Sequence, residues 1–364
     1  MQKKTQDESR QVVPADNRPT LKTIAFMTGL GVTTVSRALK DAPDIGEDTK
    51  RRVQLIARQV GYRPNRAGVR LRTGKTNVIS LVLNTDEQLM GFISDIIYGV
   101  SEVLSPTPYH LILTPYSSRN DAMDPVRYIV ETRSADGIIV SQTRPDDPRV
   151  RYMSERGFPF ATHGRTQMGI EHPWHDFDNS VFARLAVERL IARGRKRLAL
   201  LAPSPALTYH RHMTAGFADG IVEGGVAEIP FATAWIDQPI EEIRAQAVQL
   251  MRRQTPPDGI VSGSGAAAFA LVNAIEECGL KLGAEVDVVT KQSAQLVRMF
   301  RRELLVVDED FRLAGRELAR AVLARIEGQA PETLQTLAVP TAVIGEHDAP
   351  APAAGRPVRA SLSA

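Results

Sequence analysis

The spacing of apolar residues changes near residue 77, and that change restricts the chain to a small helical module followed by a larger α/β body. Beyond this point short apolar runs alternate with longer stretches of helical spacing. Strands are predicted at 78–84, 109–116, 137–141, 159–163, 197–203, 259–263 and 286–290. Helices are predicted at about 93–104, 122–132, 180–193, 211–223, 239–253, 266–278 and 310–327. Strand–helix alternation returns each strand in the same direction, so parallel sheets are expected. It occupies about 265 residues, enough for two lobes.

Before residue 77 the spacing is that of three short helices. Thr20 reads as an N-cap, with Leu21, Ile24 and Ala25 on one face. Gly29 ends this pattern, and Val32, Val35, Ala38 and Leu39 form the next. After the turn-rich DAPDIGED come Val53, Ile56, Ala57 and Val60, closed by Gly61. Two short helices across a glycine turn, backed by a third, make a helix-turn-helix layout. Charge divides at the same place. Residues 1–76 hold 16 Lys and Arg against 7 Asp and Glu, while the remainder hold 29 against 35. A basic head on a mildly acidic body points to one module for a polyanion and another for something else.

The basic stretch RPNRAGVRLRTGKTN has no core of its own and reads as a connector. Residues 1–18 are polar and aperiodic, and 344–364 are rich in Ala, Pro and Ser, so both are expected to be disordered tails. No apolar run reaches the roughly 18 residues that span a bilayer, and the polar start lacks the apolar centre of a secretion signal. The single cysteine, Cys278, cannot form an intrachain disulfide, is placed at the buried end of a helix, and fits a cytoplasmic location.

TVSRAL at 34–39, the GYRPN that closes the third helical pattern and the LRTGKT that follows resemble the headpiece of the LacI/GalR family of bacterial repressors. With the α/β body in register, the resemblance covers about residues 20–343. It implies an all-α helix-turn-helix headpiece at 19–63, a hinge at 64–76, and a two-lobed, Rossmann-like sensor of the periplasmic-binding-protein type at 77–343. The first lobe would comprise about 77–176 plus 308–330, and the second about 177–306 plus 331–343. On this resemblance Val32, Thr33 and Arg37 meet base edges, Arg37 contacting guanine O6 and N7, while Thr34 and Ser36 meet phosphates. Thr20 and Asn65 join the DNA side. Leu71 would wedge into the minor groove, flanked by Arg70 and Arg72 on phosphates. The sequence departs from the family at Gly31 and Gly46, where serine usually caps, and at Gly68-Val69, which replaces Ala-Arg in the hinge.

The resemblance places a small effector between the lobes, at the C-terminal ends of the strands. Its expected contacts are Phe92, His163, Arg165, Asp178, Tyr209, Arg211, Trp235, Ser264 and Lys291. Asp178-Asn179 matches a family Asp-Asn pair. Met213 stands where an arginine is usual, with Arg211 on the same helix end. SGSGAA (262–267) replaces Asn-Asp, and TKQS (290–293) replaces Gly-Phe-Asp-Asp, bringing Lys291 to the rim. Lost carboxylates and a gained cation near His163 and Arg165 lead to an acidic or phosphorylated sugar as the expected ligand.

Blander readings stand beside these. Tyr209, His210 and His212 also suit interface or packing positions, and Trp235 also suits the core. No phosphate loop is present, no Cys/His cluster has metal spacing, and no cofactor is expected. The leading expectation is a non-enzymatic repressor of carbohydrate genes, a homodimer or tetramer on a near-palindromic duplex operator, controlled by a sugar-like effector. An enzyme with a DNA-tethering domain would need a nucleophile–base pair, which is not found. A transporter's solute-binding protein is disfavoured by the basic head and the absent signal peptide.

Overall fold

Ile24, Val35 and Val53, one from each of three short helices, lose all solvent exposure and form the centre of the first of two units, residues 1–76. The computed structural model describes residues 19–62, 70, 74–84, 92–117, 120–292, 297, 299, 301–345 and 358–359. The helices are α1 (Leu21–Thr28), α2 (Val32–Ala38) and α3 (Glu47–Gln59). Thr20 begins α1 with a capping box: its hydroxyl accepts from Thr23 N–H, and Thr23 Oγ1 accepts from Thr20 N–H. Gly29 ends α1 at φ +69°, a left-handed turn that glycine adopts without strain. Gly31 and Gly46 begin α2 and α3 without a side-chain cap bond. Glu47 and Asp48 in the first turn of α3 offset this loss by placing negative charge at its positive end. Arg52 Nη2 donates to Thr28 O at 2.6 Å and ties α3 to the end of α1.

The expected tail at 1–18 and the hinge residues Asn65, Leu71 and Arg72 lie outside the described residues. Arg70 is helical, and its carbonyl accepts from Gly74 N–H at 2.8 Å.

The second unit, from Asn77, contains two sheets. The first lobe begins with β1 (Val78–Asn84), α4 (Phe92–Leu104), β2 (His110–Tyr116), α5 (Met123–Thr132) and β3 (Gly137–Val140). It continues with α6 (Pro148–Glu155), β4 (Phe160–His163) and β5 (Trp174–Phe177). The chain then enters the second lobe through α7 (Asn179–Ala192), β6 (Arg197–Leu201), α8 (Thr208–Gly224), β7 (Ala227–Glu228) and α9 (Ile240–Met251). There follow β8 (Gly259–Ser262), α10 (Gly265–Glu277), β9 (Asp287–Gln292) and β10 (Leu305–Asp308). It returns through α11 (Phe311–Ile326), then β11 (Gln335–Ala338) and β12 (Val358–Arg359).

The first sheet runs β12-β11-β5-β4-β3-β1-β2, parallel except where β12 meets β11. The second runs β10-β9-β8-β6-β7, and all its pairs are parallel. Fully buried strands such as β1, β3 and β8 carry helices on both faces, which accounts for their continuous apolar runs. Glycine permits the closest helix packing. A Cβ at Gly99 of α4 would lie 2.0 Å from Arg312 O of α11, and one at Gly216 of α8 would lie 2.0 Å from Ser180 O of α7.

Two expected boundaries are corrected. Residues 331–343 were expected in the second lobe, but within them β11 pairs in parallel with β5 of the first sheet, and only the end of the span, at Val343, packs on the second lobe's core. Residues 344–364 were expected to be a disordered tail, but Ile344 is buried and bridged to Val306, and Val358–Arg359 pair with β11. A tail that supplies a sheet strand satisfies backbone groups that an edge would leave open.

Candidate functional site

The cleft between the sheets is built from strand ends. Gln142 and Thr143 follow β3, His163 ends β4, Asp176 lies in β5 and Asn179 begins α7. Across from them stand Thr208 and Tyr209 at the start of α8, Ile236, Gly263 after β8, Lys291 in β9 and Glu309 after β10. The space is ≈ 580 Å³ with its open mouth included, within the range of sites that enclose small molecules.

Its charges are paired. Arg165 Nε donates to Asp176 Oδ2 at 2.6 Å, and the other oxygen of Asp176 accepts from Phe177 N–H at 2.9 Å. The guanidinium also lies 5.5 Å from the centre of the Trp174 ring. Lys291 Nζ meets Glu309 Oε2 at 2.8 Å and donates to Asn179 Oδ1 at 2.9 Å, with both charged side chains buried. The Phe177 and Tyr209 rings flank the ammonium at 5.1 and 5.6 Å. Two carboxylates therefore answer two cations. The expected gain of a cation at Lys291 is offset, because Glu309 pairs with it and restores a carboxylate to the cleft.

Burial pushes His163 down to about 4, with Lys291 acting in the same direction and Asp176 opposing it. His175 is pushed to about 3, first by burial and then by His163, on which it stacks at 6.3 Å. His175 Nδ1 lies 2.8 Å from Thr336 Oγ1 of β11. Both imidazoles are therefore neutral near pH 7 and can exchange hydrogen bonds without adding charge.

The lobes also touch directly. The backbone N–H and hydroxyl of Thr208 both donate to Thr143 O, at 2.9 and 3.1 Å. Arg211 Nη1 donates to Gln167 Oε1 at 2.6 Å. Gly164, at φ +106°, carries the turn after β4, where a Cβ would come within 2.5 Å of Thr143 Oγ1.

Of the expected effector contacts, His163, Arg165, Tyr209 and Lys291 line this cleft. Asp178 instead caps α7, accepting from Ser180 and Val181 N–H at 3.1 Å each. Ser264 caps α10, and Arg211 is engaged by Gln167. Trp235 sets its ring edge-on to His210 at 5.7 Å, while its neighbour Ile236 faces the cleft. Phe92 begins α4, and its side chain lies outside the described residues. Met213 is fully buried against the position of Gly263. Asn179 entered the sequence reading only as half of the Asp178-Asn179 pair, and Asp176, Glu309, Thr143 and Thr208 were not selected. Asp176 stood beside that pair in 175–179, whereas Glu309 follows β10, a strand absent from the predicted set. His172 packs on Phe160, and among the described residues no group of three His, Cys, Asp or Glu could hold a metal.

On the first unit, α2 leaves Val32, Thr33 and Arg37 exposed, with Thr34 and Ser36 half-buried. Arg37 Nη2 is paired with Asp44 of the turn that follows. Thr20 is occupied as the α1 cap. Among the described residues no helix is long and apolar enough to cross a membrane.

The chain resembles known proteins over nearly its whole length. Residues 20–65 match the family of bacterial regulatory proteins called lacI, and 187–346 match a periplasmic binding protein-like domain. The HTH-type transcriptional regulator RafR of Escherichia coli is 32% identical over 320 residues, covering 86% of this chain and 94% of RafR. The structure of the transcriptional regulator CelR–cellobiose complex superimposes with a TM-score of 0.64 at 23% identity, covering 90% of this chain and 98% of the other. The lac repressor dimer bound to operator and the anti-inducer ONPF gives 0.74 at 21% identity, covering 86% and 94%. These two likenesses carry the fold.

Proposed function

The chain belongs to the LacI family of bacterial regulatory proteins, and from that premise we propose that it represses carbohydrate genes as a homodimer that answers to an uncharged sugar or glycoside. It is a DNA-binding transcription regulator, as its curated relatives are. On this reading α2 lies in the major groove of a near-palindromic operator, with Arg37 on a guanine and Val32 and Thr33 beside it. Thr34 and Ser36 reach phosphates. Leu71, between Arg70 and Arg72, opens the minor groove at the operator centre. A protein that acts on operator DNA works in the cytoplasm.

The compensated charge of the cleft carries the choice of effector. Arg165 with Asp176, and Lys291 with Glu309, leave no net charge for an anion to neutralise. They do leave oriented donors and acceptors beside neutral imidazoles, which suits hydroxyl groups. The similar CelR structure contains cellobiose, which supports the same ligand class here. Isothermal titration of the full chain with neutral mono- and disaccharides, the matching uronic acids and the matching phosphates tests this directly. Binding confined to neutral sugars is expected. Tight binding of an acid or phosphate, with none of its neutral parent, would overturn the choice.

A further inference from the structure

The four acidic side chains of the segment joining α2 to α3, and of the first turn of α3, do not serve alike. Asp41 and Glu47 hold the ammonium of Lys50 at 2.7 and 2.8 Å, and Asp48 pairs with Arg51. Asp44 instead turns back to α2 and pairs with Nη2 of Arg37. Each partner is about half-exposed, at 53% and 47%, and exposed pairs add little to folding stability. Stability is therefore a poor reason for an acid on a face that must approach phosphates.

The backbone fixes this geometry. Lys40 and Ala42 N–H both donate to Arg37 O at 3.1 Å, and Ile45 N–H donates to Ala42 O at 3.1 Å. Asp44 therefore sits on a closed turn folded against the last turn of the helix that bears Arg37. An arginine has several rotatable bonds, and each must be ordered before two parallel N–H groups can meet a guanine edge. A carboxylate that engages Nη2 takes one of five N–H donors and leaves the rest for a base.

We infer that Asp44 is a positioning residue for base recognition: it holds the Arg37 guanidinium in one orientation, trading general attraction to DNA for discrimination at one base pair. The inference rests on Arg37 being a base reader.

The test uses the full chain and duplexes recovered from a randomised duplex library, each G·C pair then replaced in turn, with affinities measured by anisotropy at fixed salt. Asp44→Asn should reduce discrimination at one base pair about five- to tenfold, while affinity for randomised duplex holds or rises. Asp44→Glu should restore part of the discrimination. In an Arg37→Ala background, Asp44→Asn should leave discrimination at that base pair unchanged. If Asp44→Asn strengthens every duplex by one common factor and keeps full discrimination, Asp44 is a repelling surface charge and the inference fails. If Arg37→Ala itself leaves every base preference intact, the reading of Arg37 fails, and the two failures are distinct.

Discussion

Lys291 is held by Glu309, Asn179 and three aromatic rings, and its burial makes the pair asymmetric to substitution. Removing one partner leaves a charge in a dry site, whereas removing both leaves only apolar volume to fill. Lys291→Met alone should destabilise the second unit by roughly 3–5 kcal/mol in urea unfolding, and adding Glu309→Leu should recover a large part. The His163–His175 pair sets a pH response. Both imidazoles have folded values below the ordinary 6.5, at about 4 and about 3. Below 6.5 the unfolded chain therefore binds protons that the folded one refuses. Stability should be full above 6.5 and fall progressively as pH drops toward about 4, read as a falling melting temperature. His175→Gln should flatten that slope if the variant folds, because one of the responsible protons is gone, while His172 and His212, also lowered by burial, keep part of it. Neither effect was legible in the sequence. Lys291 could be recognised as a cation, but its partner is distant in sequence, and only the meeting of β9 with the end of β10 joins them.

At the scale of elements, the junction of α4 with α11 is closed by glycine. A Cβ at Gly99 meets Arg312 O, and one at Gly315 lies 2.4 Å from Ile96 O, both backbone atoms that cannot swing aside. Gly99→Ala should therefore cost roughly 1–3 kcal/mol by forcing the helices apart, measured by thermal unfolding. A contact this tight cannot be inferred from spacing alone. Long apolar strands and amphipathic helices were legible, with ends within a few residues of those observed. Among the described residues the elements missed were β5, β7, β10, β11, β12, α6 and the 3-10 turn Pro331–Leu334. In β5 the sequence WHDF buries His175 and Asp176 beside Trp174 and Phe177, so the polar half of a functional strand hid its period. β11 opens on the polar pair Gln335-Thr336, so neither a continuous apolar run nor an alternation marked it, and β10 was missed although Leu305, Val306 and Val307 are apolar and buried.

For the whole molecule, the break at residue 76–77 is where charge, period and contact all change together. That agreement made the division into a reader and a sensor legible. The last path between lobes was less so, because the return through β11 depends on its pairing with β5, more than a hundred residues earlier, before Ile344 bridges to Val306. The neutral balance of the cleft likewise arises only when charged residues from four separate strands or loops converge. Regulation by an uncharged sugar is a coupling between two ligands, so each must change the affinity of the other. The direct measurement is the dissociation constant of the full chain for its selected operator duplex, titrated with neutral disaccharides and with their acids and phosphates at constant salt. A shift of at least about fivefold in operator affinity with a neutral sugar, and none with the charged forms, is the predicted result. Operator affinity unmoved by every neutral sugar, but shifted by an acid or phosphate, would contradict the account.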